Sequence, residues 1–123
     1  MMQVKHGTTR IVFLVGRLAF KLPTVTSYRL FLHGLLANMQ EAQWWQNLRE
    51  PKAQRLMCPV KLYIPGGFLI VMPRCKPISR KTFFNCRPLN REFKNAGIPV
   101  ENKLDSFGRY KKNIVAVDYG SSQ

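Results

Sequence analysis

The chain has 123 residues, 46% of them hydrophobic and 11% aromatic, which suits one ordinary domain (1–123) with its own core and excludes a disordered tail. Twenty Lys and Arg stand against six Asp and Glu, a formal charge of +14; self-repulsion at that charge opposes compaction, and an acidic partner, most commonly a phosphate backbone, is the usual reason to keep it. The longest apolar runs, 11–15 and 68–72, are too short to cross a bilayer, and the first residues lack a secretory signal's apolar region and cleavage site, so a cytoplasmic protein without a membrane partner is expected.

In chain order, residues 8–22 read as two short strands or one bent one. Ile11-Val12-Phe13-Leu14-Val15 is a buried-strand run, Gly16-Arg17 a turn, and Leu18-Ala19-Phe20-Lys21-Leu22 resumes the strand until Pro23. Residues 26–49 carry the strongest helical signal. Ser27 is a cap for a first piece, 28–36, which Gly34 weakens; Asn38 is a cap for a second piece, 39–49, which Pro51 closes. Residues 57–64 and 68–72 flank Pro65-Gly66-Gly67 and predict a hairpin. A short helix is expected near 79–85, a loop at 104–108, a turn at 110–113 and a last strand at 114–117. The fold class is therefore α+β, a small antiparallel sheet with a helix packed on one face.

The cysteines, Cys58, Cys75 and Cys86, are odd in number and show no C-x-x-C spacing, and His6 and His33 are remote from them in sequence. No zinc site follows, and buried or idle thiols in a reducing cytosol are expected.

The order strand pair, lysine, helix with a glutamate, hairpin, then strand–Asp–x–Gly resembles the protein-kinase-like fold. Leu18-Ala19-Phe20-Lys21 is similar to V-A-I-K, whose lysine contacts nucleotide phosphates, and Glu41 lies twenty positions on, where that family places the glutamate that pairs with the lysine. Residues 67–72 resemble the strand entering the adenine-binding hinge, and Asn113-Ile114-Val115-Ala116-Val117-Asp118-Tyr119-Gly120 resembles the strand that delivers D-F-G. The resemblance implies a nucleotide site of Lys21, Glu41, Asp105 and Asp118, with Asp105, thirteen residues before Asp118, in place of a metal-holding Asn. Asp105 and Asp118 would then be the metal ligands and Mg-ATP the cofactor, the alternative being no cofactor.

Departures from the family are substantial. No G-x-G-x-x-G precedes Lys21, and no H-R-D is present. The base position falls on Val100, which cannot accept a proton, and roughly forty residues replace the helical lobe. The resemblance thus implies a reduced kinase-like N-lobe plus a short D-x-G segment, of pseudokinase type and without catalytic residues. Phosphoryl transfer depends on positioning and electrostatics that such a remnant does not supply.

The basic residues fall into runs. Arg74, Lys76, Arg80, Lys81, Arg87, Arg91 and Lys94 form one, interleaved with Phe83, Phe84 and Phe93, and Arg109, Lys111 and Lys112 form another. Basic residues with interleaved aromatics grip single-stranded nucleic acid without reading its sequence. An acidic protein surface would be met equally well, and solvation of a helix face is the plain alternative. Neighbouring helix positions point about 100° apart, so one of Trp44-Trp45 is expected in the core and the other partly exposed; Phe83-Phe84 divides the same way. Three functions follow: a non-catalytic binder of nucleic acid or a nucleoprotein complex, a minimal ATP-binding phosphotransferase, or a basic protein-interaction module. A small basic domain of this kind is also what phages and mobile elements carry as inhibitors of host systems, an analogy at the level of fold.

Overall fold

The computed structural model describes residues 2–85, 89–100 and 103–119, apart from the side chains of residues 89, 90 and 92. Arg87, Cys86 and Gly120 lie outside the described residues. Contacts gather the chain into two compact units, Met1–Gln43 with Pro59–Arg74, and Trp44–Cys58 with Cys75–Gln123. No helix among the described residues is long and apolar enough to cross a membrane.

The first unit is an antiparallel sheet of β1 (Met2–His6), β2 (Arg10–Val15), β3 (Leu18–Pro23), β4 (Leu62–Ile64) and β5 (Leu69–Pro73), in the order β1-β2-β3-β5-β4. Gly16-Arg17 makes the two-residue turn between Val15 and its partner Leu18, and Gly16 takes the left-handed φ of 58° that such turns ask of their first position. Along β3 burial alternates, with Ala19, Lys21 and Pro23 on the covered face. Four successive residues of β5, Ile70 to Pro73, are buried, as befits a strand with a neighbour on each side. β1 has no sequence signal of its own because all five of its residues are exposed; ladder pairing to β2 holds it.

The helix α1 (Tyr28–Asn47) follows β3 and is one continuous element rather than two. The Ser27 hydroxyl accepts from the Leu30 N–H at 3.1 Å, as expected of a cap. Asn38 is no cap. It is fully buried in mid-helix, where its amide donates to the carbonyls of Lys21 (3.0 Å) and Gly67 (2.9 Å). Gly34 serves close approach: a Cβ there would stand 2.3 Å from the Thr9 carbonyl oxygen and 2.7 Å from the Pro23 Cβ. Residues that read as helix breakers are thus the ones that let α1 lie against the sheet, and tertiary packing overrides their propensity.

In the second unit Pro51 opens a helix, α2 (Pro51–Leu56), at the position where its missing N–H costs nothing. Then come β6 (Lys76–Pro77), α3 (Arg80–Asn85), α4 (Leu89–Asn95), a 3-10 turn (Leu104–Ser106), β7 (Phe107–Tyr110) and β8 (Asn113–Ala116). β6, β7 and β8 form a three-stranded sheet in that order. The segment expected as a loop at 104–108 is the 3-10 turn running into β7, because buried Phe107 joins the core there. Phe107 lies 5.1 Å from Phe93 and 6.2 Å from Phe83 between ring centroids, spacings at which tilted aromatic pairs attract. Ile98, Val100, Val115, Ala116 and Tyr119 complete this core.

Candidate functional site

In the first unit Val12 of β2 pairs with Lys21 of β3, so their side chains share a face; Arg10, two residues before Val12, points the same way. α1 brings Glu41 to that face. Its Oε1 accepts from Lys21 Nζ and from Arg10 Nη1, each at 2.9 Å. Arg10 Nη1 also donates to Asn38 Oδ1 at 2.9 Å. Glu41 is wholly buried, and Arg10 and Lys21 nearly so, at 9% and 7% exposure. Burial by itself pushes the Glu41 carboxyl up, but the Arg10 guanidinium and then the Lys21 ammonium, by charge and by hydrogen bond, carry it below its ordinary value.

The Lys21–Glu41 pair implied by the family resemblance is therefore formed. Arg10 was not expected in it. The signal was in the hairpin: a two-residue turn at Gly16-Arg17 sets the register that puts Arg10 and Lys21 on one face.

Asp105 and Asp118 belong to the second unit. Asp105 is exposed and Asp118 half-buried. The Val117 N–H donates to the Ser106 carbonyl at 2.9 Å, which sets the backbone neighbours of the two acids side by side. Among the described residues no group of three or more His, Cys, Asp and Glu is gathered to hold a metal. Tyr119, the middle residue of D-Y-G, is buried and donates its hydroxyl to the Cys58 carbonyl at 2.9 Å. Val100, where the family resemblance would put a catalytic base, is a core residue.

Of the basic residues singled out from sequence, Arg87 lies outside the described residues. Arg74 is in the first unit, where its Nη2 donates to Gln3 Oε1 at 2.9 Å. Lys76, Arg80, Lys81, Arg91, Lys94, Arg109, Lys111 and Lys112 are in the second unit and all are exposed. None of these eight has an ion-pair partner among the described residues. The interleaved aromatics turn out differently from a stacking platform: Phe83 and Phe93 are core residues, because they pack on Phe107, and only Phe84, 52% exposed, faces solvent. Trp44 and Trp45 do not divide into core and surface; both are half-buried.

Lys111 has a φ of 59°, the one non-glycine residue with positive φ among those described. It sits in the two-residue turn between Tyr110 and Asn113, and its Nζ lies 5.4 Å from the centre of the Tyr110 ring. A side chain in the left-handed region costs roughly 1–2 kcal/mol, so a lysine is held where glycine or asparagine would be easier.

The thiols of Cys58 and Cys75, unrelated by sequence spacing, lie with Sγ atoms 3.3 Å apart. No protein family, curated protein or solved structure gives a match to this chain.

Proposed function

We propose that this chain is a non-catalytic binding protein built on a reduced kinase-like domain, and that it engages nucleic acid or a nucleoprotein complex through the exposed cations of its second unit. The observation that carries this reading is the set of eight exposed Lys and Arg on β6, α3, α4, β7 and the β7–β8 turn, without ion-pair partners among the described residues. Cations in that state are available to neutralise a phosphate backbone, and release of the counterions condensed on the nucleic acid drives binding. Backbone strain at Lys111 supports the same reading, since strain tends to persist where function keeps it.

The kinase-like part of the proposal is supported by three features of the first unit: strand order β1-β2-β3-β5-β4, a helix between β3 and β4, and a lysine on β3 paired to a glutamate on that helix. Val100 in the core supports the absence of a catalytic base.

The test is binding of a short mixed-sequence single-stranded oligonucleotide across a range of salt. Log affinity is expected to fall linearly with log salt, with a slope of about 0.7 for each phosphate contacted. Arg80→Glu with Lys81→Glu should weaken binding and flatten the slope. Binding indifferent to salt refutes the reading.

A second reading, that the protein binds Mg-ATP, is favoured by the Lys21–Glu41 pair. Lys21 would meet the phosphates of the bound nucleotide. A rise in Tm with millimolar Mg-ATP that Lys21→Met abolishes would support it. An unchanged Tm would count against it.

A further inference from the structure

We propose that Cys58 and Cys75 are a reversible redox pair, a site at which a small disulfide such as oxidised glutathione converts two thiols into one intramolecular disulfide. The Sγ atoms stand 3.3 Å apart, and a bond between them needs an approach to about 2.05 Å, a shift within reach of side-chain rotation.

Their surroundings differ in a way that assigns the steps. Cys75 is half-exposed and meets the oxidant; Cys58 is buried, at 1% exposure, and is sheltered from it. Cys58 is also held in place, since its N–H donates to the Ala116 carbonyl at 2.9 Å and its carbonyl accepts from the Tyr119 hydroxyl at 2.9 Å. Room for Cys75 comes from Gly108 on β7, where a Cβ would come within 2.9 Å of the Cys75 Cβ.

The chemistry balances without another reactant. The Cys75 thiolate attacks one sulfur of oxidised glutathione, forming a protein–glutathione mixed disulfide and releasing one glutathione thiolate. The Cys58 thiolate then attacks the Cys75 sulfur, forming the Cys58–Cys75 bond and releasing the second glutathione. Two electrons pass from the protein to the oxidant, and the two thiol protons go to the two glutathiones.

Chain connectivity gives the bond a structural consequence. The chain leaves the second unit after Cys58 and returns to it at Cys75, and the intervening Pro59–Arg74 carries β4 and β5. The disulfide closes that loop at its base, which restricts the unfolded chain more than the folded one. It also ties Cys75 to a residue whose backbone is bonded to the segment carrying Asp118.

The test treats the reduced full chain with oxidised glutathione and maps cross-links by mass spectrometry without reduction. A Cys58–Cys75 link with loss of two hydrogens is expected, reversed by dithiothreitol, together with a Tm higher by roughly 5–10 °C. Cys75→Ser should abolish the link, Cys86→Ser should leave it, and Cys58→Ser should leave glutathione trapped on Cys75. Stable glutathione on Cys75 of the unaltered chain, a link through Cys86, or no reaction where an unfolded dithiol peptide oxidises fully would each overturn the proposal.

Discussion

The Nζ of Lys21 on β3 lies 2.9 Å from Oε1 of Glu41 on α1, and the carboxylate is wholly buried. Arg10 donates to the same oxygen, so two cations depend on one acid. Removing one partner of a buried ion pair typically costs about 3–5 kcal/mol, because the charge left behind is neither paired nor hydrated. Glu41→Gln is therefore expected to destabilise the fold by an amount in that range, and Lys21→Met by clearly less, since Glu41 keeps Arg10. Urea unfolding of the two variants checks the order. Equal losses would show that Arg10 does not share the carboxylate.

The same carboxyl sets a pH dependence. Its folded pKa lies below the ordinary Glu value, so it contributes stability that is fully present above the unfolded value of about 4.3. That contribution declines as the pH falls from there through the lower folded value. Stability should be insensitive to this group from neutral pH down to about 5 and then drop. Glu41→Gln should be less stable at neutral pH and should lose part of the acid dependence. Parallel stability–pH curves for the two proteins would contradict the assignment.

Gly34 offers a test of helix–sheet packing against helix propensity. Alanine is favoured over glycine in a helix interior by about 1 kcal/mol, yet its Cβ would meet Thr9 and Pro23 atoms at 2.3 and 2.7 Å. Gly34→Ala is expected to lower stability by roughly 1–3 kcal/mol, as overpacking does. A rise in Tm would mean that α1 does not approach the sheet this closely.

How legible these features were depends on what holds each in place. β2, β3 and their turn were readable because apolar runs and Gly16 are local signals. The continuity of α1 was not. Gly34 and Asn38 read as weak points, and only contacts with Thr9, Pro23, Lys21 and Gly67 reveal why they stand there. Lys21 and Glu41 were found through the resemblance of their segments to a known family, whereas Arg10 required the hairpin register to be followed one step further. β1 carries no signal, since a strand with both faces exposed has no alternation to detect. Phe83 and Phe93 looked like a stacking surface because they alternate with cations in sequence, but a small core claims aromatics first. The thiol pair was invisible, because residues seventeen apart meet only through the strands that bring them together.

Lys111 offers a trade between stability and binding. Lys111→Gly relieves the positive φ and is expected to raise stability by about 1 kcal/mol, the usual gain when strain at such a position is removed. It also removes one exposed cation and should reduce oligonucleotide affinity at low salt. Thermal unfolding and a binding titration of the same variant separate the two effects. A stabilised variant with undiminished affinity would take Lys111 out of the binding surface.

The most direct test of the proposed function is the salt dependence of oligonucleotide binding for the unaltered chain and for Arg80→Glu with Lys81→Glu, followed by fluorescence anisotropy. The account predicts tight binding at low salt, a linear fall of log affinity with log salt, and a weaker, flatter dependence in the variant. No binding at low salt, or binding that neither salt nor charge reversal alters, would contradict it.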